Sequence, residues 1–328
     1  MSKRSTCLGI DIGGTNTVIG FVDKAGNCIK KSSILTKSNE PVVKFFPRLF
    51  EEVDNLYKSI SNEYEFIGIG IGAPNANFFK STIEFPPNLN WDYVNVSEFV
   101  SKYSSLPLAI TNDANAAAIG EYLFGNARDL KDFIVITLGT GLGSGIFVKG
   151  EIVYGSDGFA GEIGHTIVDP NGRQCGCGRK GCLETYASAS GICRTVSELI
   201  ALKNIKSKLN EISPNKITAK MISEAARLGD QLALEAFDYT GKILGLKLAD
   251  SVAYTSPEAI ILFGGLAAAE ELLFEPTQKY MEEYMLRTFK NKVKLLPSGL
   301  KEGDSAILGA SALIWNELSK EKMSPVNN

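Results

Sequence analysis

The chain has 328 residues, 44% hydrophobic and 22% charged, an ordinary balance for a globular protein with a sizeable core. Its formal net charge of −3 and pI near 5.5 leave no basic footprint for nucleic acid or an anionic membrane. Asp11 interrupts the first apolar run too early for a signal peptide, and the longest apolar stretch, from Ala259, is too short to span a bilayer; a soluble, cytoplasmic protein is expected.

In chain order, residues 7–35 read as three β-runs joined by turns: CLGIDIGG, TVIGFVD and CIKKSSIL. A helix follows with Phe45, Phe46, Leu49, Phe50, Val53 and Leu56 on one face. FIGIGIGAP (66–74) and LPLAITND (106–113) read as buried strands, with a loop over 75–95 between them. A helix over 114–125 starts with Asn112 or Asp113 as its cap. Residues 132–155 then repeat the opening order of β-run, glycine-rich turn, β-run, lysine-containing Gly turn and β-run, which predicts a structural duplication. Helices are expected over 185–203, 217–229 and 231–253, with a solvated connector over 203–216. Residues 257–276 read as strand, Gly264-Gly265 turn and helix, and 304–322 as a closing helix capped by Asp304 or Ser305. The last few residues are expected to fray.

The stretch from Gly158 to Glu184 holds the only histidine, His165, and three of the six cysteines: Cys175, Cys177 and Cys182. One imidazole and three thiolates satisfy a closed tetrahedral zinc site, and glycines between the sulfurs let the backbone turn tightly enough to aim them at one point. A closed site is structural, so its expected role is to hold its neighbours Glu162 and Glu184 on a rigid knot. Thiolates kept for metal fit a reducing compartment.

Three glycine-rich turns each follow a β-run: Gly13-Gly14-Thr15-Asn16, Gly139-Thr140-Gly141 and Gly264-Gly265. Such turns can cradle phosphate with backbone N–H groups, or can simply mark hairpins. The first two run on into strands, against a dinucleotide fingerprint, and none has the P-loop pattern. Asp11, just before the first turn, could hold Mg²⁺ beside phosphates or merely accept turn N–H groups. Asp113 could cap a helix, or take a hydroxyl proton in phosphoryl transfer. Glu162 and Glu184 can each accept two hydroxyl hydrogen bonds, which makes a sugar the natural substrate class.

DIGGTNT, TNDANAAA, LGTGLGSGI, GEIGH and CGCGRKGCLE, in this order, resemble the ROK family of sugar kinases and repressors, in the superfamily of actin, hexokinase and the Hsp70 ATPase domain. The likeness runs from about Gly9 to the closing helix. It implies an α/β fold of two ribonuclease-H-like/actin-like ATPase domains flanking a cleft, with a structural zinc knot. The expected division is 1–112 plus about 305–328 as a small α/β domain and 113–304 as a large one, with the zinc loop at 162–184. It implies ATP, with Mg²⁺ near Asp11, and a hexose. Asp113 becomes the general base for the 6-hydroxyl, and Gly72, Asn112, Asp113, Glu162, His165 and Glu184 the sugar contacts. Gly13, Gly14, Thr15 and Asn16 with Gly139, Thr140 and Gly141 become the phosphate loops, and Gly264 with Gly265 the adenosine loop. A homodimer is implied.

The chain departs from the family at GAPNANF, where Asn75 stands at a usual glycine and Asn77 follows, and at Ser144 in the second phosphate loop. The first departure bears on which sugar is bound; the small serine should be tolerated. An ATP-dependent glucokinase is expected, ahead of a kinase for fructose, N-acetylglucosamine or N-acetylmannosamine. A sugar-responsive repressor is the alternative of another class, disfavoured by the acidic balance and by a first strand that leaves no space for a preceding helix-turn-helix domain. A zinc-ribbon nucleic-acid module would account for too little of the chain.

Overall fold

The computed structural model describes residues 3–203, 205–301 and 303–323; the last few residues, expected to fray, lie outside them. The chain forms two compact units, Met1–Asp129 with Ile152–Ala160 and Gly299–Asn328, and Leu130–Glu151 with Gly161–Ser298.

The first unit is built on β1 (Arg4–Ile12), β2 (Asn16–Asp23), β3 (Cys28–Leu35), β4 (Tyr64–Gly72) and β8 (Leu108–Thr111), in sheet order β3-β2-β1-β4-β8. β1 to β3 pair antiparallel, whereas β4 and β8 run parallel to β1. Helix α1 (Val42–Lys58) covers one face of this unit's core, burying all six apolar residues of its predicted stripe. On the opposite face, glycine admits a close approach by the closing helix (Ser305–Met323). A Cβ on Gly70 would stand 1.9 Å from the Ala310 carbonyl oxygen, and one on Gly9 2.4 Å from that of Ile307. Helix α3 (Asp113–Phe124) packs on the closing helix through Gly120 and Gly309, so it lies in this unit, beyond the division expected after residue 112. The expected loop over 75–95 contains a three-stranded sheet of β5 (Ala76–Asn77), β6 (Thr82–Glu84) and β7 (Tyr93–Asn95), followed by α2 (Val96–Val100).

The second unit repeats the plan. Its sheet has the order β11-β10-β9-β12-β13, from β9 (Phe133–Leu138), β10 (Leu142–Val148), β11 (Glu151–Ile152), β12 (Ala259–Phe263) and β13 (Lys294–Pro297). Again an antiparallel hairpin, β9-β10, is followed by strands parallel to its first member. The expected duplication is therefore present in the strand order itself. Helices α4 (Ala189–Leu202), α5 (Ala219–Arg227), α6 (Gln231–Thr255) and α7 (Glu271–Tyr284) bury their apolar faces in this unit's own core. No described helix is long and apolar enough to cross a membrane.

Candidate active site and metal centre

In the second unit the loop after β11 gathers the expected metal ligands. His165 closes a short 3-10 turn (Ile163–His165), and Cys182 precedes another (Leu183–Thr185). One donor atom from each of His165, Cys175, Cys177 and Cys182 lies within 4.8 Å of the others. The His165 Nδ1 to Cys175 Sγ distance is 3.8 Å, and Cys177 Sγ to Cys182 Sγ 3.6 Å. Zinc–sulfur bonds of about 2.3 Å at tetrahedral angles place neighbouring ligand atoms roughly 3.7 Å apart, so the donor set fits zinc. Burial raises the Cys177 thiol, but the N–H and guanidinium of Arg179 and the neighbouring thiols outweigh it and bring it down to about 6. Burial pushes Cys175 up to about 12 and also raises Cys182. One thiolate is thus ready at neutral pH, and a cation would bring out the other two.

Two acids flank this donor set in the chain, Glu162 and Glu184. Glu184 accepts the Leu142 N–H at 3.1 Å through Oε2, while Oε1 lies 3.6 Å from Cys175 Sγ. A Cβ on Gly141 would stand 2.2 Å from that Oε2, so the glycine at 141 answers to this carboxylate. Glu162 and His165 line a recess of about 570 Å³ whose other wall includes Lys247, Asp250 and Tyr254 of α6. Ser144, expected only to be tolerated, is buried and bridges the backbone on both sides of Glu162: its hydroxyl donates to the Gly161 carbonyl and accepts the Ile163 N–H at 3.2 Å.

Two glycine turns stand at one end of this unit's sheet. In the Gly139–Gly141 turn, Gly139 N–H donates to the Gly141 carbonyl at 3.1 Å, and Gly139 and Thr140 are exposed. Gly264, at φ 101°, begins the turn after β12; the Leu266 N–H binds the Leu138 carbonyl at 3.0 Å, which sets Gly265 beside the first turn. In the first unit, Gly13 N–H donates to the Asn16 carbonyl at 3.0 Å, and the Thr36 hydroxyl holds the Gly13 carbonyl at 2.7 Å. Thr15 and Asn16 remain exposed.

The ends of three parallel strands in the first unit bring Asp11, Gly72 and Thr111 into one register row, with Asp113 opening α3 just beyond. Asn112, not Asp113, is the cap: its Oδ1 accepts the Asn115 N–H at 2.6 Å. Asp113 stands on the first helical turn, its Oδ1 taking the Ala114 N–H at 2.8 Å. A Cβ on Gly72 would lie 3.4 Å from Asp11 Oδ1 and 3.9 Å from the Asp113 Cα, so Gly72 keeps the space between the two acids open. Burial, and then the charge of Asp113, push the Asp11 carboxyl up to about 7. Asp113 is raised too, because crowding by protein atoms outweighs the N–H groups it accepts, although its side chain still meets solvent at the rim. Among the described residues, no basic side chain offsets either acid, and the Thr111 hydroxyl in the same row is buried without a hydrogen-bond partner. An oxygen-rich, uncompensated acidic row fits a hard divalent cation.

The expectation that Asn75 and Asn77 bear on the sugar meets a backbone explanation. Asn75 has φ 51°, which asparagine tolerates better than most residues, and its amide donates to the carbonyls of Glu84 and Phe85. Asn77 is fully buried, donating to the Asp157 carbonyl at 2.7 Å and accepting the N–H groups of Phe79 and Lys80. Both amides serve the fold of the small sheet.

Comparison with known proteins finds relatives over nearly the whole chain. The ROK family model matches residues 7–317. A glucokinase of Thermotoga maritima is 34% identical over 315 residues, 94% of this chain and 96% of that protein. The structure of a ROK family glucokinase from Streptomyces griseus, in complex with glucose and AMPPNP, superposes with a TM-score of 0.78 at 33% identity, covering 94% of this chain and 98% of the other. A xylose repressor of Bacillus spizizenii is 29% identical over 98% of this chain and 80% of its own length.

Proposed function

The chain belongs to the ROK family, and from that membership we propose that it is an ATP-dependent glucokinase, transferring the γ-phosphoryl group of ATP to the 6-hydroxyl of glucose. The observation that carries this reading is Asp113: Asn112 relieves it of the capping role, and its carboxyl is raised toward the range where a general base works best. Likeness to a glucokinase holding glucose and a nucleotide analogue over nearly the whole chain supports the same assignment.

In this reading Asp113 accepts the proton of the 6-hydroxyl as that oxygen attacks the γ-phosphorus and the bond to the β-phosphate bridge breaks. Asn112, Glu162, His165 and Glu184 hold the other hydroxyls, and Gly72 leaves room beside Asp113. The turns Gly13–Asn16 and Gly139–Gly141 offer N–H groups to the phosphates, and Gly264-Gly265 borders the adenosine. Mg²⁺, held by Asp11 directly or through its waters, would neutralise charge on the phosphates. Zinc on His165, Cys175, Cys177 and Cys182 supplies a rigid node that keeps Glu162 and Glu184 in place. The protein works in this reading as a cytoplasmic homodimer with no nucleic-acid or membrane partner; a thiolate metal centre suits a reducing compartment.

The test is ADP release measured across a panel of hexoses, with fructose, N-acetylglucosamine and N-acetylmannosamine beside glucose. Glucose should give the highest kcat/KM; no ATP-dependent turnover of any sugar would end the reading. Similarity to the xylose repressor favours a second possibility, a sugar-binding regulator, which predicts sugar binding without turnover in the same assay.

A further inference from the structure

Of the three cations in the loop 166–184, Arg179 and Lys180 are exposed, whereas Arg173 is only 5% exposed. Its guanidinium is engaged on every side. Nε and Nη2 donate to Glu198 Oε2 at 3.2 and 2.6 Å, Nη1 to the carbonyls of Thr185 and Gly191 at 2.6 and 3.2 Å, and Nη2 also to the Thr195 hydroxyl at 2.9 Å. The group lies over the Tyr186 ring, 4.4 Å from its centroid, and the Tyr186 hydroxyl accepts the Arg173 backbone N–H at 3.1 Å. These partners come from two places. Thr185 and Tyr186 follow Glu184 directly; Gly191, Thr195 and Glu198 belong to α4. The start of α4 in turn binds the second glycine turn, through Ala189 N–H to the Gly139 carbonyl at 2.9 Å and the Ser190 hydroxyl to the Thr140 carbonyl at 2.5 Å.

We propose that Arg173 is a positioning residue: it locks the metal loop and the Glu184 turn onto α4, so that metal retention and sugar affinity both depend on a side chain that touches neither ligand. The geometry explains why arginine stands here. A planar fork of five N–H groups can serve an acid, a hydroxyl and two carbonyls at once, whereas an ammonium offers three donors from a single point. The sugar half of the inference rests on the kinase reading; the metal half does not.

Arg173→Lys keeps the charge and removes the fork. In the zinc-loaded protein it should raise the KM for glucose about ten-fold while kcat stays within about two-fold, the signature of binding lost equally in ground and transition states. Transfer of zinc to a chromophoric chelator should speed up by about ten-fold or more, the usual scale for losing a group that supports metal ligands. Thr195→Val removes one of the arginine's partners with little change of shape and should shift both readouts in the same direction by less. A role confined to general stability would lower the melting temperature and leave KM and zinc transfer unchanged. That result, in either variant that folds, overturns the proposal. Should the parent protein turn over no sugar, the kinase reading falls by itself and the zinc-transfer rates still decide the role of Arg173.

Discussion

Asp113 and Asp11 share one problem, two carboxyls near each other with no basic side chain among the described residues to offset them. Asp113→Ala should lower kcat by about 10² to 10⁴, the usual worth of a general base, with the glucose KM changing much less; steady-state kinetics that found kcat intact would remove Asp113 from the chemistry. The Asp11 carboxyl, about 7 in the fold against 3.8 unfolded, has the opposite sign from a salt-bridged acid. The folded state holds the proton more tightly, so this group's contribution to stability is complete below pH 4 and is lost as pH rises through 7. Asp11→Asn cannot ionise. Its melting temperature should therefore gain on that of the parent between pH 4 and pH 7 in metal-free buffer and stay level above; a constant gap across that range would show that the acid is not destabilised by its setting.

At the scale of elements, legibility followed pattern length. The stripe of α1 and the glycine-punctuated strands were legible because each repeats its signal over several residues, and the metal ligands because chemistry restricts which residues can serve. β5 has two residues and β6 and β7 three each, too few for an alternation to emerge from a stretch rich in asparagine and proline. Asn112 and Asp113 are both good caps standing side by side, so only geometry could separate them. Ser144 went unread because its partners are backbone groups, which leave no mark on the neighbouring side-chain sequence, and Arg173 because its side-chain partners Thr195 and Glu198 stand far along the chain in α4. The glycine seam beneath the closing helix gives the sharpest test here. A methyl at residue 70 would collide with the Ala310 carbonyl, so Gly70→Ala should cost about 3 kcal/mol, the upper end for overpacking, in urea unfolding. A variant as stable as the parent would mean that the helix can retreat without loss.

Across the whole molecule, two units have separate cores, and the metal knot lies entirely within the second. A ligand stabilises only what it binds when folded. Stripping zinc with a chelator should therefore lower the calorimetric transition of the second unit and leave that of the first where it was. If a single transition moves as a whole, the two cores unfold as one cooperative body.

The commitment of His165 to the metal centre reaches further than that loop. Its Nδ1 is set against Cys175, and the chain holds no second histidine, so no imidazole outside that donor set is available to serve as acid or base. An acid limb near pH 7 in the activity profile would thus belong to the Asp11 carboxyl, which burial and the charge of Asp113 push up to about 7. Carboxyl ionisation is almost athermal, whereas imidazole ionisation absorbs heat, so that limb should stay in place on warming, and enzyme from cold and warm cells should respond to acidification alike.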